Sequence, residues 1–489
     1  MKPILGLAAL ALSAPYCLTL AAERPLPPPA VPVIKVPSAV VAPDPALASA
    51  GQAIGSELIA YLDAFLPTAR SPGKDGNTVV FRERVAAAVT SHPDVRATTE
   101  LALGLAFSTQ EAAAARLPQV VGSSESGRRR FDAVRFPNFS GTPERTQHGA
   151  AVGVTARQLL YDFGAVDRSV EAGERRERAG QARLDGERSA LALRAVTAFY
   201  EHYRARTQLA LARHSADAQN TLVLYLDERF KVGGGTQADV VRARAKYTES
   251  LAQVAVIENR LRGAEAAYLE AFGVPPRGEP QPPDVPVPTM GRPAGSGPVP
   301  NPSLREADAV REAAIAEVAA ARARALPVVS AEVSVNRRDL SGNGTPGTDT
   351  TALFVLRQNL YTGGADTARI GLAAQRRNQA MFEYDAVARE VERALQQAVA
   401  DVQNGERIVA ARMQTAEDTR ESLRAVREQF VYNRGSLLDL LRSQEELYQV
   451  SRDLIDSVVD RSLARYRLLH VTPGLAGLFG IDTPVMRRE

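Results

Sequence analysis

The sequence predicts a mainly α-helical chain with a small β part, built from one unit repeated in tandem. Two long tracts, Gly164 to Val274 and Gly363 to Thr472, contain no proline and are rich in alanine, leucine, arginine and glutamate, the composition of long helices. Each tract is preceded by a pair of short segments that alternate in polarity. The same landmarks recur in both halves at a constant offset.

Arg157-Gln158-Leu159-Leu160-Tyr161, with Gly164-Ala165, returns as Arg357-Gln358-Asn359-Leu360-Tyr361 with Gly364-Ala365, an offset of 200 positions. Far downstream the register holds: Phe230, Gly235, Asp239 and Arg242 correspond to Phe430, Gly435, Asp439 and Arg442. Upstream, Leu117-Pro118 corresponds to Leu326-Pro327 at an offset of 209. The length difference therefore falls between these landmarks, where a surface loop can absorb it.

From the N-terminus, Met1-Lys2, the apolar run Ile4 to Leu20 and the small-residue exit Ala21-Ala22 predict a secretory signal over residues 1–22,. A spanning anchor is the competing reading; Pro15 interrupts the run, which falls short of the roughly 20 apolar residues a spanning helix needs. The single cysteine, Cys17, is a candidate lipidation site with a poor neighbour in Tyr16; cleavage after Ala21 or Ala22 leaves the mature chain without thiols,. Residues 23–78 read as a proline-rich extension, densest from Pro25 to Pro45,. No later stretch is apolar for 18 residues or more, so a membrane role requires a barrel. The net charge of +3 comes from arginines interspersed with carboxylates, without a basic tract, which argues against nucleic acid as a partner.

Repeat 1, residues 79–272, starts with a helix over Val79 to Ala115. It continues with a strand pair over 117–161 and a helical hairpin over 164–272. After a proline-rich linker, 273–302, repeat 2 follows over 303–471: a helix over Ser303 to Ala325, a strand pair over 327–361 and a hairpin over 364–470. Residues 472–489 remain as a tail. In the strands, Val329, Ala331, Val333 and Val335 face one way, and Ser330, Glu332, Ser334 and Asn336 the other. Ala352, Phe354 and Leu356, like Val152, Val154 and Ala156, keep the same parity, with Arg157 and Arg357 opposite. A length near ten residues suits tilted membrane strands. The glycine-rich run Leu340 to Gly347 suits an exposed hairpin loop, and Tyr161, Phe163 and Tyr361 sit where an aromatic girdle would lie.

A helix from Gly164 to about Phe230 would be roughly 100 Å long at 1.5 Å per residue, more than one globular core can cover. The return helix carries Val240, Tyr247, Val254, Leu261 and Tyr268 at spacing seven. Leu440, Leu447, Leu454 and Leu468 continue that phase in the second copy, with Arg461 as the exception. Such a period predicts supercoiling against neighbouring helices. The connecting turns are Val232-Gly233-Gly234-Gly235-Thr236 and Tyr432-Asn433-Arg434-Gly435-Ser436. Gly233 and Asn433 are suited to the left-handed conformation that ends a helix. Thr236 and Ser436 stand three residues before Asp239 and Asp439, a capping-box spacing.

These residues together resemble the TolC-like outer membrane factors: duplicated strand-pair and helix-hairpin units, Leu-Pro before the first strand, Gln-x-Leu-Tyr-x-x-Gly after the second, and paired turns leading to Asp239 and Asp439. The likeness covers about Val79 to Val471, and the stretch Ser436 to Tyr448 is most similar to the type I secretion branch. The resemblance implies a homotrimer in outer-membrane lipid, in which four strands per protomer close a 12-stranded β-barrel continued by an α-helical coiled-coil tunnel across the periplasm. It implies partners too: a periplasmic adaptor, docked at Gly233, Gly234, Gly235, Thr236, Asn433, Gly435 and Ser436, and an inner-membrane ABC transporter or proton-driven pump. Arg157, Gln158, Tyr161 and Gly164, with Arg357, Gln358, Tyr361 and Gly364, would mark the junction of barrel and tunnel.

In a trimer Asp239 and Asp439 would crowd the tunnel entrance and attract cations. Arg242, Arg434 and Arg442 could pair with them as a latch. Family members often carry a second acidic residue where this chain has Arg442, which argues against a double acidic ring. The expected function is a passive exit duct for secreted polypeptides, with small-molecule efflux as the alternative and a soluble periplasmic coiled-coil adaptor as the rival from another class. Catalysis finds no support. His92, His148, His202, His214 and His470 lack ligand spacing in the sequence, and no phosphate loop or nucleophile motif occurs, so no metal or cofactor is expected.

Overall fold

The computed structural model describes residues 51–70, 77–131, 145–276, 283, 301–338 and 347–481. The expected signal segment with Cys17, the run Pro25 to Pro45, most of the 273–302 linker, residues 340–346 of the expected hairpin loop and residues 482–489 lie outside the described residues. In chain order the elements are α1 (Ser56–Arg70), α2 (Asn77–Ser91), α3 (Pro93–Ala114), β1 (Gln119–Phe131), β2 (Arg145–Tyr161), α4 (Ala165–Lys231) and α5 (Gln237–Phe272). They continue with α6 (Pro302–Ala323), β3 (Val328–Arg338), β4 (Gly347–Arg357), α7 (Ala365–Val431), α8 (Leu437–Val471) and α9 (Gly474–Phe479).

The strands form one antiparallel sheet in the order β1-β2-β3-β4. The two repeats join where β2 pairs with β3, Val154 opposite Val335 and Ala156 opposite Val333. That register stacks the aliphatic parity of both repeats on one face. Val154 (53% exposed), Val333 (47%), Phe354 (84%) and Leu356 (68%) leave this face uncovered within the protomer, a contiguous apolar band of the kind that marks an interaction surface. Among the described residues β1 and β4 each pair on one side only, leaving two sheet edges open for pairing with another chain.

Repeat 1 begins with two helices rather than one over Val79 to Ala115. Pro93 has no amide hydrogen and drives the preceding residue out of the helical region. His92 accordingly lies at φ −66°, ψ 137° and caps α3, its Nδ1 accepting from the Asp94 amide at 3.2 Å. The strands are longer in repeat 1 (13 and 17 residues) than in repeat 2 (11 each). Both long helices have 67 residues, about 100 Å at the standard rise. Gly164 (φ 82°) and Gly364 (φ 85°) start them in the left-handed region.

Two further segments depart from the expected extension and tail. Within 23–78, residues 56–70 are a helix whose Leu58, Ile59, Leu62, Phe65, Leu66 and Ala69 are buried. This stripe recurs at three- and four-residue spacing and packs against α4, α7 and α8 through Leu222, Leu423, Leu440 and Leu447. Each large side chain so buried is worth about 1.5–3 kcal/mol relative to exposure, enough to overrule the proline-rich surroundings. Asp63 accepts from Arg420 at 2.5 Å and Arg424 at 3.0 Å. Arg461, the break in the seven-residue pattern, is buried and donates to the Ala69 carbonyl at 3.3 Å. In the tail, α9 buries Leu475 and Phe479.

Those two join a second core around Phe81, with Phe199, Tyr200 and Tyr466. Nearby, His470 lies in contact with Ser189 (Nδ1 to Oγ 2.8 Å). Burial holds its pKa below the ordinary imidazole value, partly opposed by the Ser189 contact. The unfolded chain then takes up this proton first. Stability is present above about pH 6.5 and falls as pH drops from there through the lower folded value. Denaturant titrations between pH 7.5 and 5 should show this loss in the wild type and a flatter profile in His470→Gln; identical slopes would exclude the effect.

Candidate functional site

The chain reverses twice at the helical end away from the sheet. Gly233 takes φ 77° and Asn433 φ 59°, the left-handed conformation that lets the chain leave a helix. Behind each, the amide of the next residue, Gly234 or Arg434, donates back to Arg229 or Gln429 (2.9 and 2.8 Å). A side chain at Gly435 would meet the Phe430 amide nitrogen at 3.0 Å, so glycine is needed there for room.

The two turns start their return helices differently. Thr236 accepts from the Asp239 amide at 3.2 Å and donates to the Asp239 carboxylate at 2.7 Å, so Asp239 is half of a closed cap. Ser436 instead accepts from the Leu438 amide at 3.0 Å. A hydroxyl can satisfy the second or third amide of a helix; here it takes the second, and the expected reciprocal cap at Asp439 is not made. Asp439 is exposed and, among the described residues, has no polar partner within the protomer. Arg242, Arg434 and Arg442 are exposed as well, and none pairs with Asp239 or Asp439 within one protomer among the described residues.

What joins the turns is Arg229, which the sequence pattern did not mark. Its Nε donates to the Gly234 carbonyl at 2.8 Å, its Nη2 donates to Asn433 Oδ1, and its guanidinium lies 5.6 Å from the centre of the Phe430 ring. One side chain thus ties both turns across the repeat boundary. The only sequence signal was asymmetry: the equivalent position is Gln429.

At the sheet end, Arg157 stands opposite Glu332 in register. Arg157 Nε and Arg357 Nη2 both donate to Glu332 Oε1, at 2.6 and 3.0 Å. Glu332, read from sequence only as part of a polar face, is therefore the common acceptor of both arginines. Gln158 donates to the Arg116 carbonyl at 2.7 Å, while Gln358 is exposed. Tyr161 packs its ring against Phe163 at 4.7 Å, and Tyr361, beyond the end of β4, is 88% exposed. The two arginines are about half exposed, so after solvent screening Glu332→Ala should cost only about 1 kcal/mol of stability. Its larger effect should be electrical: two uncompensated guanidiniums should move the reversal potential in a salt gradient toward anions. An unchanged potential would show that this wall does not face the permeation path.

The sequence profile of the outer membrane efflux protein family matches residues 86–274 and 299–472. The chain is 26% identical over 359 residues to the outer membrane efflux protein BepC of Brucella suis biovar 1 (strain 1330), covering 73% of this chain and 76% of that one. It is 23% identical over 330 residues to nodulation protein T of Rhizobium leguminosarum bv. trifolii, covering 64% and 68%. Its fold matches the solved structure of CusC, a transmembrane channel, with a TM-score of 0.71 at 17% identity, over 82% of this chain and 93% of that one. Channels of this family are non-enzymatic trimers that work with an adaptor and an inner-membrane pump. The chain belongs to the outer membrane efflux protein family, and is a channel component of a tripartite export system, seated in the outer membrane and extending into the periplasm.

Proposed function

We propose that the chain is the passive exit duct of a type I secretion system for polypeptides. Three protomers join the open edge of β4 to that of β1 on the next chain, so the apolar strand face meets lipid and the face with Arg157, Glu332 and Arg357 lines the lumen. The turns at Gly233 to Thr236 and Asn433 to Ser436 form the periplasmic entrance and the docking surface for the adaptor. The supporting observation is this pair of left-handed turns, held together by Arg229 at the ends of two 67-residue helices. For the cargo, the support is the likeness of Ser436 to Tyr448 to the secretion branch. Deleting the gene should abolish export of a secreted polypeptide; unchanged secretion beside marked drug sensitivity would reverse the assignment. Small-molecule efflux is the second reading, favoured by the efflux designation of the Brucella relative.

Asp439, exposed and without a polar partner among the described residues of its own protomer, supplies one carboxylate per chain to a ring at the entrance. Like charges in a constriction hold a multivalent cation. Block by such a cation in planar bilayers should disappear in Asp439→Ala, and persistent block would dismiss the ring. Since, among the described residues, Arg242, Arg434 and Arg442 pair with neither Asp239 nor Asp439 of their own protomer, any latch they form reaches Asp239 or Asp439 of a neighbouring protomer.

A further inference from the structure

We propose that Glu57, His214 and Asp217 form a binding site for a divalent first-row transition metal ion, zinc being the representative, that staples α1 to α4. The ligand-bearing atoms of these three side chains all lie within 4.8 Å of one another. They come from two elements. His214 and Asp217 are three residues apart on α4 and so share one face, and Glu57 is brought to that face by the docking of α1.

Several independent observations favour an ion here over chance proximity. His214 Nδ1 is closed to solvent and has no hydrogen-bond partner, an expensive condition for a polar atom. Among the described residues neither the Glu57 nor the Asp217 carboxylate has an ion pair or side-chain hydrogen bond, although the adjacent Arg213 is engaged with Glu258 at 2.9 Å. Two carboxylates without an ion pair among the described residues, facing an imidazole, form a site of net negative charge. The imidazole is also held in place: Tyr61, one turn beyond Glu57 on α1, packs its ring 5.2 Å from that of His214 and donates to the Thr207 carbonyl at 2.8 Å. Thus α1 supplies both a ligand and the residue that orients another.

The donor set defines the class of ion. One imidazole with two carboxylates suits zinc and its neighbours, whereas calcium and magnesium prefer oxygen alone. Metal–ligand bonds of about 2.0–2.2 Å require the group to draw together slightly, which the exposed Glu57 and Asp217 can do by rotating. Water would complete the shell on the open side. α1 lies outside the residues matched by the family profile, so the site would be a property of this chain's own N-terminal helix. It would act on how firmly that helix is held along the entrance half of α4.

The test uses the full-length trimer in detergent, stripped with a chelator and equilibrated with zinc. About one ion per protomer should bind, and limited proteolysis within 51–70 should slow on zinc addition. Glu57→Gln, an exposed near-isosteric change, should weaken binding at least about tenfold and remove the zinc-dependent protection. His214→Gln should do the same. Absence of zinc binding by the wild type, or binding that survives both substitutions, would overturn the proposal. A wild type that binds zinc without added protection of 51–70 would refute the staple.

Discussion

Arg229→Ala is expected to raise the single-channel conductance of the purified trimer and to lengthen its open periods. The side chain ties the Gly233 turn to the Asn433 turn, through the Gly234 carbonyl, Asn433 Oδ1 and the face of Phe430. Hydrogen bonds made by a charged donor contribute about 1.5–3 kcal/mol when well shielded. At this partly exposed position about 2 kcal/mol for the whole tie is a fair magnitude, which corresponds to roughly a 30-fold change in the ratio of closed to open turns. Arg229→Lys should recover little of the closure, since an ammonium cannot span a carbonyl and an amide oxygen with a rigid fork. Wild-type conductance in Arg229→Ala would mean that the two hairpins are positioned by packing alone. Asn433→Gly, which keeps the left-handed turn but removes the acceptor, should reproduce part of the effect.

Phe81→Ala should be the most destabilising single substitution proposed. Phe81 is 1% exposed, with ring centres 4.7 Å from Phe199, 6.0 Å from Phe479, 6.3 Å from Tyr466 and 6.5 Å from Tyr200. Five aromatic rings from α2, α4, α8 and α9 thus meet at one point, and removing the central one leaves a cavity that helices of this length cannot collapse to fill. Truncations of this type cost about 3–5 kcal/mol. Urea denaturation and the temperature at which the trimer dissociates in detergent should both report it, and Phe81→Leu should lose much less. A loss under 1 kcal/mol would show that α2 is dispensable for this core. The same experiment asks whether α2 and α9 brace the long helices, since both reach the cluster from outside the two helical hairpins.

Much of this architecture was legible in the residues. The 200-residue offset located both hairpins and both turns, because helices of fixed length must carry their caps and heptads in register, and alternating polarity located the strand pairs. The left-handed positions at Gly233 and Asn433 followed from residue type alone. The break at His92-Pro93 was equally visible, and proline's lack of a donor should have ended the first helix there. By contrast, Thr236 and Ser436 occupy identical places in the pattern yet cap different amides, since either bond satisfies a helix start.

Residue type and spacing thus settled which segments are helix or strand, which strand face is apolar and where the chain reverses, all of them local or periodic properties of consecutive residues. Pairings between distant positions needed the folded chain: Arg229 with Asn433, two arginines sharing Glu332, Arg461 closing the end of α1, and Glu57 arriving beside His214 and Asp217. Each depends on how helices from separate repeats lie side by side. Hydrophobic burial sets that arrangement, and its lack of direction leaves no mark at any one position of the sequence.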